Sequence, residues 1–243
     1  MYPQIDPSRV LVLTIAVGGY QIAFKKLIDS HAGYAKRMGY RHCLVQRIGK
    51  LHPRAAPWLK ISVVAAALRR GYRQVLVVDA DCLIRSNTPG LEHVVKPGKT
   101  IYGAEGFSGQ LNSGFVLFCD EPQVERLLAT MLANCEGKVA GGDWGENGHL
   151  NFYLRNFEGL ALLPRCWNNN CNPDEFDYIR HFCGGTAMAQ SLRISWWRRG
   201  LLAVLRYRLY KVGACHSLQR TVEQRTLYCL AQFPVLHQAG QSN

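Results

Sequence analysis

The sequence predicts an α/β domain built on a mostly parallel central sheet flanked by helices, and three observations carry that expectation. Apolar runs of strand length at residues 9–17 (RVLVLTIAV) and 75–84 (VLVVDADCLI) are rich in Val and Leu, the composition of strands buried on both faces. Segments of helical period alternate with them and short turns join them, which is the β-α-β-α-β order of a doubly wound sheet. At 243 residues, 48% hydrophobic and 19% charged, the chain can bury a full core as one domain.

The elements follow in order. After the first strand, Gly18-Gly19 reads as a turn and residues 20–38 as a helix of period 3.6. Residues 40–46 form a second short strand. The two prolines of LHPRAAP hold a loop open until Trp58, where a helix runs to about Arg70 and Gly71 stops it. The strand leading into Asp79 comes next. Residues 100–104 and 113–119 read as strands, and 123–133 and 145–156 as helices. The first βα turn has no G-x-G-x-x-G, which argues against a dinucleotide oxidoreductase, and internal repeats are absent.

Asp79-Ala80-Asp81 interrupts the apolar run at 75–84 and is the most informative chemistry in the chain. Two carboxylates at the carboxyl end of a parallel strand fall where open α/β sheets bind ligands. Flanking one small residue, they repel each other unless a cation neutralises both, and a hard divalent ion such as Mn2+ or Mg2+ suits two carboxylates and phosphate oxygens. A pair of loop acids capping the next element is the plainer alternative. Lys60 in an apolar helix, Asn112-Ser113-Gly114 before a strand, Asp143 to Asn147 opening a helix, and His181 ahead of Gly184-Gly185 are further candidates. Each also has an ordinary structural reading as a snorkelling Lys, a turn, a cap or a core imidazole.

Composition bounds location and partners. No apolar span of membrane-crossing length occurs and MYPQIDPSRV lacks a signal-peptide layout, so a cytoplasmic location is expected. Nine cysteines without a C-x-x-C pair suit a reducing compartment, with Cys166 and Cys171 as ordinary thiols. The formal charge of +12 is uneven: residues 180–225 hold nine Lys and Arg against the single acid Glu223. Trp196-Trp197, Leu201-Leu202 and Tyr207 to Tyr210 interleave with those cations, which points to peripheral attachment to an anionic membrane surface. Poor helical segregation leaves a solvated basic helix as the alternative. No nucleic-acid motif or stacking platform occurs in the first 180 residues, and nucleic acid is not an expected partner.

The ordered series VLTIAVGGY, WLKISVVAAAL, VLVVDADCLI, LNSGFVLF, GGDWGENGHLN, LPRCWNN and HFCGG resembles the metal-dependent GT-A glycosyltransferases with Asp-x-Asp, among them glycogenin, bacterial lipooligosaccharide galactosyltransferases, and fungal and plant galactosyl- and xylosyltransferases. The resemblance covers residues 9 to about 186. It implies a catalytic domain at 1–189, with 190–243 a basic, aromatic extension packed on or beside it. The implied fold is the Rossmann-like GT-A fold of nucleotide-diphospho-sugar transferases. The implied activity is Mn2+- or Mg2+-dependent transfer of a hexose or pentose from a nucleotide-sugar donor, UDP-sugar favoured, to a glycan or glycolipid hydroxyl with retention.

By the same resemblance Asp79, Asp81 and His181 are metal ligands, and Thr14, Ala16, Tyr20, Lys60, Asp79, Ala80 and Gly184 contact the nucleotide. Asn112, Ser113, Asp143, Glu146 and Asn147 line the donor sugar, with Glu146 and Asn147 nearest the chemistry. Two departures stand out. Glu146-Asn147 replaces the family's Asp-Gln, and Ala187 stands where many relatives have a phosphate-binding Lys, a gap that Arg180, Arg193 or the basic tail would fill. A metal-dependent nucleotidyl- or phosphotransferase and a non-catalytic module for anionic ligands remain the alternatives, the first without a Walker-type loop.

Overall fold

The computed structural model describes residues 5–49, 51–184, 186–192, 197, 200, 204 and 217–237. β1 (Val10–Ile15), α1 (Tyr20–Ala23), α2 (Lys25–Met38), β2 (Arg41–Val45), α3 (Ala55–Arg69) and β3 (Gln74–Val78) make the expected β-α-β-α-β unit, with β1 parallel to both β2 and β3. Beyond it come β4 (Cys82–Ile84), β5 (Ile101–Glu105), β6 (Leu111–Cys119), α4 (Pro122–Ala133) and α5 (Glu146–Leu154). β7 (Leu160–Leu163), β8 (Ile179–His181), α6 (Ala187–Ser191) and α7 (Leu218–Gln232) follow, and short 3-10 turns lie between some of these elements. The main sheet has the order β2-β1-β3-β6-β5-β7. β6 runs antiparallel to both its neighbours, and the other three pairings are parallel.

β1 shows why these strands are continuously apolar. Leu11 and Leu13 enter the core under α3, while Val10 and Val12 enter the core on the opposite face, and all four are fully buried. Period-2 alternation then sends every side chain into a core rather than every second one to water. α3 is buried along nearly its whole length because the sheet takes one side and α4 and α7 take others.

Three boundaries differ from the sequence expectation for local reasons. The helix expected over 20–38 breaks at Phe24, whose backbone leaves the helical region (φ −105°, ψ 20°). α3 starts at Ala55 rather than Trp58, because Pro57 sits in the first turn, where its missing N–H has no intrahelical acceptor to lose. The run at 75–84 is two strands. The Asp79 N–H bonds Gly114 O at 2.9 Å and the Cys82 N–H bonds Asp79 O at 2.9 Å, a turn that takes Cys82–Ile84 out of the main sheet to pair antiparallel with β8.

β7 and α7 were not read from the sequence. α7 buries Leu218, Val222, Thr226 and Cys229, spaced to form one helical face, against α3, where Ser62 and Thr226 share a hydroxyl hydrogen bond of 2.6 Å. Leu218, Val222 and Cys229 join the same core as Leu11 and Trp58, so this part of the C-terminal region is continuous with the domain. Arg193, Trp196, Arg198, Arg199, Arg206, Arg208 and Lys211, on which the membrane expectation rests, lie outside the described residues. Among the described residues no helix is long and apolar enough to cross a membrane, and the eight described cysteines, Cys166 and Cys171 included, are free thiols.

Val222 is 2% exposed in that core. Val222→Asp should therefore destabilise the whole domain by about 3 kcal/mol. Denaturant unfolding measures this, and a loss below about 0.5 kcal/mol, typical of a surface site, would show that α7 is only loosely attached.

Candidate active site

The turn after β3 delivers Asp79, Ala80 and Asp81 into a cavity of about 380 Å³ at the carboxyl ends of β1 and β3. Ile15, Val17, Gly18 and Tyr20 form its wall on the β1 side, Leu51, Pro53, Ala56 and Pro57 the wall between β2 and α3, and Lys60 and Glu146 its inner end. Gly18 and Gly19 turn the chain from β1 into α1 at φ +64° and +93°, a conformation that side chains resist.

A buried cation organises the inner end. The Lys60 ammonium lies 3.0 Å from Asp79 Oδ1 and 2.7 Å from Glu146 Oε1, and it also reaches Ser113 Oγ at 3.1 Å and Ser113 O at 3.3 Å. Ser113 Oγ donates to Glu146 Oε1 at 2.7 Å, and its N–H donates to Asn147 Oδ1 at 2.8 Å. Burial opposes the Lys60 charge, yet Asp79 and Glu146 hold its pKa above the ordinary lysine value. Asp79, Ser113 and Glu146 are thus fixed around one charge contributed by α3.

His181 faces Asp81 from β8, with Nε2 3.3 Å from Asp81 Oδ1. Its other nitrogen is 3.1 Å from Asn168 Oδ1, and the Asn168 amide is oriented by donating to Asn112 O at 3.1 Å and Asn112 Oδ1 at 3.0 Å. Because Asn168 Oδ1 can only accept, Nδ1 carries a hydrogen and Nε2 is the nitrogen turned to the carboxylate. A lone pair on Nε2 would meet an acceptor, so a cation belongs between them: a proton in the metal-free protein, or a metal ion. Gly114 is required here, since a Cβ at that position would overlap Cε1 and Nδ1 of His181.

This donor set fits a divalent ion. Asp81 and His181 converge, Asp79 lines the same cavity, and Asn168 on Nδ1 supplies the second hydrogen bond that orients a ligating imidazole. The electrostatics agree. Burial and repulsion from Asp81 push Asp79 above the ordinary carboxylate range against the pull of Lys60. Burial would also raise Asp81, but the facing His181 outweighs it and holds Asp81 low. For His181, burial disfavours the imidazolium and Asp81 more than compensates, raising its pKa.

Not every residue expected in the site turns toward the cavity. Tyr20, Lys60, Asp79, Ala80, Asp81 and Glu146 line it. Thr14 is fully buried and bonds His31 Nδ1 at 2.8 Å, and Ala16 packs with Ala80, Phe24 and Ile28 behind the wall. Asn112 spends its side-chain oxygen on Asn168 and on the Gly114 N–H. Asp143 is exposed on the turn before Glu146, and Gly184 has open space beside it. Arg180 is engaged by Asp177 at 2.7 Å and Pro173 O at 2.7 Å, so it is not free to replace the lysine missing at Ala187.

Two residues without an assigned role in the sequence reading matter. Asn168 orients His181, and the signal was present as three consecutive asparagines, Asn168 to Asn170, all fully buried. His31 donates from Nε2 to Cys82 O at 2.8 Å and accepts the Thr14 hydroxyl at Nδ1, pinning the backbone next to Asp81. Burial lowers its pKa to about 4, so it is neutral near physiological pH.

No protein-family model matches the sequence, and no curated protein matches it. Solved structures do resemble it in fold. A glycosyltransferase involved in the glycosylation of the major capsid of PBCV-1 superposes with a TM-score of 0.56 at 10% identity, over 82% of this chain and 98% of that one. The bifunctional glycosyltransferase WbbM superposes with a TM-score of 0.51 at 12% identity, over 98% of this chain and 53% of that one, so the chain spans about half of WbbM. The chain therefore has the fold of these enzymes, the GT-A type of mixed α/β sheet flanked by helices.

The raised His181 pKa makes a pH prediction. Its contribution to stability is full below the unfolded value near 6.5 and is lost as pH rises through the higher folded value. As pH rises from about 6.5 through that folded value the metal-free protein should lose stability, and Mn2+ should raise the melting temperature more at the higher pH, where no proton competes. An equal Mn2+ shift at both pH values would rule out that competition. Gly114→Ala, by displacing His181, should weaken Mn2+ binding roughly tenfold or more in calorimetry; unchanged affinity would remove His181 from the ligand set.

Proposed function

We propose that this protein is a glycosyltransferase that moves a hexose or pentose from a nucleotide-diphosphate sugar, with a UDP-sugar favoured, to a hydroxyl of a glycan or glycolipid, using Mn2+ or Mg2+ and retaining anomeric configuration. The observation that carries the reading is the facing pair of Asp81 and His181, with Asp79 two residues before Asp81 and held by the Lys60–Glu146 pair, at the end of a GT-A sheet where such folds bind ligands. Asp79, Asp81 and His181 would hold the metal. Bound there, the ion would neutralise the charge that develops on the diphosphate as it leaves.

The chain's own residues supply the rest. Tyr20 and the apolar wall from Val17 to Pro57 offer a surface for the base, with the small Ala80 leaving room for the ribose. Glu146, held in place by Lys60 and Ser113, would face the positive charge that grows on the transferred sugar. Asn147 has its oxygen committed to the Ser113 N–H, leaving Nδ2 for a sugar hydroxyl. Lys60 acts on the diphosphate only through the carboxylates it holds, not as a free phosphate clamp. The cations of residues 193–211 would dock the enzyme on an anionic membrane surface carrying a glycolipid acceptor.

A donor-hydrolysis screen over UDP-, GDP- and dTDP-sugars with Mn2+ tests the proposal. Slow release of nucleoside diphosphate from a UDP-sugar is expected, abolished by chelator and by Asp81→Asn with the fold intact. Glu146→Gln should cut turnover roughly a hundredfold. Turnover that survives chelation would refute metal dependence, and stabilisation by nucleoside triphosphates alone would favour a nucleotidyltransferase.

A further inference from the structure

The loop between β2 and α3, residues 46–54, contributes Leu51 and Pro53 to the cavity wall. It is gripped from the far end of the sequence. Arg225, half-buried on α7, donates from Nη1 to Ile48 O at 3.1 Å, and a Cβ on Gly49 would sit 3.6 Å from the same nitrogen. Beside that carbonyl, Arg47 holds a backbone conformation that side chains disfavour. Arg47 has φ +56°, the positive-φ non-glycine position among the described residues, and Gly49 has φ +75°. A side-chain-bearing residue keeps such a conformation only where its surroundings over-determine it.

The grip is itself anchored. Thr226, next to Arg225, bonds Ser62 on α3, two residues from Lys60, and Val222 and Cys229 are buried on the same helix. Just past α7, Val235 O accepts from the Tyr72 hydroxyl at 2.6 Å. Ile48 and Leu51 are 1% and 2% exposed, so they transmit the position of the Ile48 carbonyl into packed core rather than into solvent.

We propose that Arg225 is a positioning residue of the donor pocket: by fixing the Ile48 carbonyl it sets where Leu51 and Pro53 stand, and so how tightly a nucleoside diphosphate fits. The proposal relies on the donor reading above for the nature of the occupant. It makes a helix near the C-terminus part of the binding machinery although no residue of that helix lines the cavity.

Arg225→Met keeps the aliphatic stem and removes the donors, and Arg225→Lys returns one. Hydrogen exchange on the full chain should quicken roughly tenfold across 46–54 in the Met variant and less in the Lys variant, with 218–232 as protected as in wild type. UDP binding in Mn2+, read by calorimetry, should weaken roughly five- to tenfold in the Met variant and recover partly in the Lys variant. Unchanged loop exchange overturns the proposal, as does a loosened loop with unaltered UDP affinity. Loss of protection in 218–232 also overturns it, because Arg225 would then hold the helix rather than the loop. Should wild type bind no nucleoside diphosphate at all, the donor reading fails, while the exchange comparison still decides whether Arg225 sets the loop.

Discussion

The buried ammonium of Lys60 is the interaction on which the active end of the molecule depends. It ties α3 to the turn after β3, to β6 and to α5 through Asp79, Ser113 and Glu146. Removing one partner from a buried ion pair costs about 3–5 kcal/mol because the other charge is stranded. Here two carboxylates would be stranded at once. A lysine suits the place: its apolar stem can run through the packed interior of α3, and its compact head offers three donors to the acceptors of three elements. The grip on Asp79 and the grip on Glu146 come from one atom, so the metal side and the sugar side of the proposed site are held in fixed relation.

The legible part of the fold is that set by long apolar runs. β1, β3, β6, α2, α3 and α4 are marked by hydrophobic pattern, and the structure moves their ends by a few residues. What escaped is short or depends on distant partners. β4 has three residues and exists because β8, about a hundred positions later, pairs with it. β7 has four residues and is defined by its place beside β5. α7 has a polar majority, and its buried stripe makes sense only against α3.

The site divides along the same line. Residue types and order marked Asp79, Asp81, His181, Lys60, Ser113 and Glu146, and the structure brings these together. Sequence did not give their directions. Thr14 points away from the cavity because its hydroxyl satisfies His31. Lys60 is saturated with partners because burial of an ammonium demands them. The run of three asparagines marked the segment of Asn168, but its orienting role needs His181 and Asn112 to meet across the fold.

Charge accounting links these arrangements to what the cavity can accept. Among the described residues, Asp79, Asp81 and Glu146 are three carboxylates against the permanent cation Lys60, with a proton on His181 as the partial remedy. A divalent ion that takes the place of that proton leaves the cluster neutral, whereas the protonated state leaves it one charge short. The cavity is therefore better matched to a metal than to a proton, and the advantage grows with pH as the proton is released. A nucleoside diphosphate then brings new negative charge, while Lys60 and Arg180 are already paired and Ala187 carries no charge. Among the described residues, then, the proposed metal would be the main source of attraction for a diphosphate, and nucleotide binding would depend on it by electrostatics as well as by ligation.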